Sequence, residues 1–149
     1  SCLPSGQFRQ VAEFRNRVSS EKLGFWGPRM TESPIFVKTY DLIQWLLPKT
    51  LKFSREYRFA LAVPIQEHAF ALQRCLVEAA RAADNRERSR LLRQADVELT
   101  LLRYKIRLGR DLKVINFAGY EHAGRLIDEV GRLLGGWKKQ QGVVDASAS

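Results

Sequence analysis

The stretch Val97–Lys113, VELTLLRYKIRLGRDLK, has the period of a helix but is apolar on two sides of it. A helix turns by about 100° per residue. With Arg103 as zero, Ala95, Leu99, Leu102 and Ile106 cluster at roughly 260° to 320°, and Val97, Leu101, Tyr104 and Leu108 at roughly 100° to 160°. A helix in a small bundle needs only one buried stripe. Either this helix is surrounded within its own fold, or the second stripe, Val97, Leu101, Tyr104 and Leu108, is an interface with another copy of the chain. Arg103, Arg107 and Arg110 fall between the stripes, within about 40° of zero.

Three further helical segments can be marked by their punctuation. Ser33 before Pro34 is an N-cap followed by proline at the first helical position. It opens a helix to about Phe53, supported by Ile35, Leu42, Trp45, Leu46 and Leu51, with a kink expected at Pro48. Ser54 can cap a second helix, about 55 to 82, carrying Phe59, Ile65, Ala69, Leu72, Leu76 and Ala79 and interrupted at Pro64. Asp84 with Glu87 three residues on is a capping-box pattern that opens the arginine-rich helix, to about Leu112. Asn116 can cap the last, where Ala123, Leu126, Ile127, Val130, Leu133, Leu134 and Trp137 recur in steps of three and four. No run alternates as a strand does, and the connections are short. The pattern predicts an all-α, antiparallel up-down four-helix bundle over residues 30–141.

The 29 residues before Met30 hold no steady period and are broken by Gly and Pro. They are expected to be a flexible or non-native extension, and residues 142–149 a disordered tail. The two cysteines, Cys2 and Cys75, lack CxxC spacing, so neither a zinc site nor a disulfide framework is indicated. With no long apolar run and no signal-peptide pattern, a cytoplasmic setting is expected.

The formal net charge is +9. Such a balance points to a polyanionic partner: nucleic acid, an anionic membrane surface or an acidic protein. Residues 86–113 concentrate it, with nine Lys or Arg against four acidic residues. Arginines predominate, and they suit bidentate phosphate contact better than lysines. A solvated helix face is the alternative reading of such a row. If the second stripe drives a ring-like oligomer, each copy repeats the row and builds a large positive surface, suited to salt-sensitive, sequence-independent nucleic-acid binding.

Signals for chemistry are weak. Each histidine follows a glutamate, Glu67-His68 and Glu121-His122, whereas a helical metal pair needs the two ligands three residues apart on one face. Both histidines are expected at the surface or at helix ends, and Asp128 and Glu129 to face solvent. Trp45, Trp137, Tyr40 and Tyr120 are expected as core or interface aromatics. No catalytic residue, metal site or cofactor is indicated.

The stretches KTYDLIQWLLPKTLKFSREYRFAL (38–61), LLRQADVELTLLRYKIRLGRDLKVI (91–115) and YEHAGRLIDEVGRLLGGWKK (120–139) together resemble the accessory variability determinant (Avd) family of diversity-generating retroelements. The resemblance covers about residues 30–141 in the right order. It implies a four-helix bundle assembled as a homo-oligomeric, pentameric basic barrel. It also implies a non-catalytic, prokaryotic or phage-encoded partner of the element's reverse transcriptase. Such proteins bind nucleic acid, notably the template RNA and possibly DNA, in a complex whose adenine-mutagenised cDNA replaces a variable region of a target gene. The family's L-R-x-x-x-R pattern falls on Leu102, Arg103 and Arg107, which gives Arg103 and Arg107 a nucleic-acid-facing role. The helical wheel adds Arg93, Lys105 and Arg110 as weaker extensions of that row. The four-helix protein encoded by intervening sequences of 23S rRNA genes looks similar. That protein, a basic scaffold for an acidic protein partner and a small helical nuclease are the alternatives.

Overall fold

A computed structural model describes residues 33–142. The residues expected as an N-terminal extension, and all of the expected tail beyond residue 142, lie outside the described residues. Four helices carry the fold: α1 Pro34–Leu51, α2 Val63–Arg81, α3 Asn85–Asp111 and α4 Phe117–Gln140. Each packs on its neighbour in sequence, and α1 closes on α4. The pairings run in opposite directions along adjacent helices. Phe36 meets Trp137 and Trp45 meets His122 between α1 and α4, while Asp96 pairs with Lys138 and Arg103 with Asp128 between α3 and α4. The expected antiparallel four-helix protomer is therefore observed, with no strand among the described residues.

Local chemistry accounts for most helix ends. Asp84 is extended and its side chain accepts the Glu87 N–H at 2.8 Å, satisfying a donor that α3 cannot bond internally. The Glu87 carboxylate binds Arg90 through both oxygens. Asn116 does for α4 what Asp84 does for α3, accepting the Gly119 N–H at 2.7 Å. At the other end of α3, Lys113 N–H bonds the Arg110 carbonyl and Val114 N–H bonds the Gly109 carbonyl, the paired bonds of a Schellman turn. Its left-handed residue is Lys113, at φ 62°, where glycine is the usual choice.

The α1–α2 connection departs from a single interrupted helix. After a 3₁₀ turn at Arg55–Tyr57 the chain makes a π turn, Arg58–Ala62, whose last step is a bond from Val63 N–H to the Arg58 carbonyl. Pro64 explains it. Its ring would crowd the carbonyl four residues back and it has no N–H to give, so a wider turn fits ahead of it. Phe59 and Leu51, placed by apolar period among the packed residues, lie at this junction and are exposed. Pro48 sits inside α1, which ends at Leu51 rather than at Phe53.

The core is a single cluster drawn from all four helices, including Leu42, Leu46, Ile65, Leu72, Leu76, Leu92, Leu102, Ile106, Ile127 and Leu134. Trp45, Tyr120 and Trp137 pack against it, whereas Tyr40 is exposed. Gly109 marks a close approach: a Cβ there would lie 2.6 Å from Ile115 Cδ1, so the Ile115 side chain would have to shift to admit it.

Candidate nucleic-acid interface

Among the described residues, helix α3 packs mainly on α2 and α4. Leu92, Ala95, Leu99, Leu102 and Ile106 are buried. Val97, Leu101, Tyr104 and Leu108 are exposed at 49%, 37%, 62% and 47%. The four described helices thus do not cover the second stripe of α3. An apolar row on this outward face needs a partner or stays wet.

The expected basic residues separate into three groups. Arg103 and Arg110 lie on the seam with α4. Arg103 Nη1 donates to Asp128 Oδ1 at 2.6 Å, and Arg110 stands 4.3 Å over the Tyr120 ring while it donates to Asp111. The Asp111 contact raises the Arg110 pKa further, so its charge is permanent. Arg93 and Arg107 are exposed and make no ion pair or hydrogen bond among the described residues. They flank the apolar row with their donors uncommitted. Lys105 is half-buried, and the helix period puts it on the opposite flank of the apolar row from the arginines. The structure therefore gathers Arg93, Arg103, Arg107 and Arg110 along one side and leaves Lys105 apart.

Two basic residues near the start of α3 are already engaged. Arg88 donates to the carbonyls of Ala79 and Ala82, both at 3.0 Å, and so caps the C-terminus of α2. Arg90 is held by Glu87, whose carboxyl that contact keeps below its usual range. On α4, Arg132 does the same to Glu129.

The α3–α4 seam also holds a pair that sequence reading passed over. Lys138 is 5% exposed and its Nζ lies 3.3 Å from Asp96. Its register was the available signal, since Ala123, Ile127, Val130, Leu134 and Lys138 follow one apolar stripe. Of the histidines expected at the surface or at helix ends, His122 lies near the start of α4 and His68 lies inside α2. His68 is half-buried within α2 and donates from Nδ1 to Glu98 of α3 at 2.7 Å. His122 lies against Trp45, centroid to centroid 4.7 Å. Asp128, expected to be merely solvent-facing, is the partner of Arg103.

Reactive chemistry is sparse. Burial first, then the charges of Glu98 and Glu78, push the Cys75 thiol up, which keeps it protonated and a poor nucleophile. Among the described residues, no three His, Cys, Asp or Glu side chains group so as to hold a metal ion. No helix among them is long and apolar enough to cross a membrane.

A family model described as bAvd-like matches residues 35–141, more than half of the chain. The chain belongs to the bAvd-like family. The match runs from the first turn of α1 to the residue after α4, so the whole described bundle is the family's domain. The bAvd-like family is an accessory, non-catalytic kind of protein. No curated protein matches the chain.

Proposed function

We propose that this protein is a non-catalytic accessory subunit of a diversity-generating retroelement that binds the element's reverse transcriptase and its template RNA to support mutagenic cDNA synthesis. Membership of the bAvd-like family carries the reading. The outward face of α3 supports it, because free arginines there stand beside an apolar row. The apolar row, Val97, Leu101, Tyr104 and Leu108, is the subunit interface in this proposal. The exposed Val37, Tyr40 and Leu51 of α1 offer a second, different apolar surface. A closed ring needs two such non-identical surfaces on each subunit, and the proposed ring is pentameric.

In the ring, the arginine row recurs once per subunit and RNA phosphates displace counterions from it. Arg93 and Arg107 make direct phosphate contacts, Arg103 and Arg110 reinforce the field from the seam, and Lys105 supplies positive charge from the other flank. The test is co-purification with the cognate reverse transcriptase and template RNA. A complex containing all three is expected, and a protein that captures neither would defeat the proposal.

A further inference from the structure

At the end of the bundle where α1 and α3 stop and α4 starts lies a cavity of about 470 Å³. That size falls within the range of about 300–1,000 Å³ usual for small-molecule sites. The end of α1 supplies Trp45 and Lys49, and the residues just after it Lys52 and Phe53; the α3–α4 connection supplies Ile115, and α4 supplies His122. Among the described residues, no Asp or Glu lines it. Lys49 holds its ammonium 5.6 Å from the centre of the Trp45 ring. Neither Lys49 nor Lys52 makes an ion pair among the described residues, and the His122 ring nitrogens make no hydrogen bond among them.

The wall therefore combines an apolar part with two lysines that are unpaired among the described residues. A bare inorganic anion would use the two lysines and leave Phe53 and Ile115 without a partner. A neutral ring would fill the apolar part and leave both lysines idle. A planar ring joined to a phosphate uses both parts, through apolar and cation contacts that do not depend on base identity. We propose that this cavity binds one unpaired nucleotide of a single-stranded RNA, with the base against Phe53 and Ile115 and the phosphate at Lys49 and Lys52. The proposal rests on the RNA-binding reading and deepens it. Its place in the fold agrees, since Arg107 and Arg110 lie near the same end of α3 and a strand following the arginine row arrives there.

A free nucleoside monophosphate offers the same chemistry, so the test has separate arms. The full-length ¹⁵N-labelled protein is titrated with adenosine monophosphate, uridine monophosphate, inorganic phosphate and a single-stranded RNA oligonucleotide, following the Trp45 indole N–H and the Gly119 amide by NMR. Both monophosphates and the RNA are expected to shift these signals to saturation, with inorganic phosphate weaker. Lys49→Glu with Lys52→Glu, both exposed positions, should weaken monophosphate binding by roughly tenfold or more, as expected on losing a charge-assisted contact. Equal responses to inorganic phosphate and the nucleotides would overturn the proposal, as would shifts from free monophosphate that RNA does not reproduce. RNA that moves amides around Arg107 but leaves Trp45 unmoved sinks the cavity alone; RNA that moves neither sinks the RNA-binding reading as well.

Discussion

Arg103 of α3 is bound to Asp128 of α4, with Nη1 and Oδ1 2.6 Å apart and both side chains largely exposed. Arg103 is thus partly neutralised by its own chain, and in the proposed RNA complex phosphate would have to compete for it. Asp128→Ala should release the guanidinium and remove a repelling carboxylate. An exposed pair of this kind is worth about 0.2–1 kcal/mol, so RNA affinity should rise by up to about fivefold while stability changes by less than about 1 kcal/mol. Filter binding and thermal melts check both. Weaker RNA binding by the variant would mean that the pair orients Arg103 instead of restraining it.

The two stripes of α3 should respond oppositely to substitution. Leu102 is fully buried, and Leu102→Ala should cost about 2–5 kcal/mol by denaturant unfolding. Leu101 is exposed, so Leu101→Asp should leave the fold intact and dissociate the proposed ring on sedimentation. A Leu101→Asp protein that sediments as wild type would remove that stripe from the interface.

These stripes and the caps at Asp84 and Asn116 were legible in the sequence because their causes are local, whereas Ser54, expected to cap the second helix, makes no side-chain cap bond. Asp84 and Asn116 bond donors three residues away, and the buried and exposed rows of α3 follow from its own turn angle. The α3–α4 seam was not legible, since Arg103–Asp128, Asp96–Lys138 and Arg110–Tyr120 depend on how two helices are set in register. Phe59 and Leu51 misled for a related reason. The 3₁₀ and π turns around them change the residues per turn, so an apolar period carried through from α1 or α2 no longer points at the core.

The turn after α3 makes a pair of opposed predictions. Gly109→Ala improves helix propensity yet places a carbon 2.6 Å from Ile115 Cδ1, and should destabilise by about 1–3 kcal/mol. Trimming the contact with Ile115→Val should return part of that loss. Lys113→Gly should raise stability by up to about 1 kcal/mol, because φ 62° costs an L side chain and not glycine. Urea denaturation midpoints measure both, and a stabilising Gly109→Ala would show that the connection can move away.

Arg88 links the end of α2 to the start of α3 through two carbonyls and Asn85. Arg88→Ala should cost about 1–2 kcal/mol through the lost charged hydrogen bonds. RNA affinity should barely change, because this guanidinium is occupied. A drop in RNA binding as large as that of an Arg107 variant would contradict its assignment to capping.

The arginine row of α3 is the centre of the account, and the salt dependence of RNA affinity tests it most directly. For single-stranded RNA, each phosphate contact contributes about −0.7 to the slope of log affinity against log salt. Arg103→Ala with Arg107→Ala should weaken binding and flatten that slope by roughly 0.7 to 1.4, with helicity by circular dichroism unchanged. An affinity and slope equal to wild type in a folded double variant would contradict it.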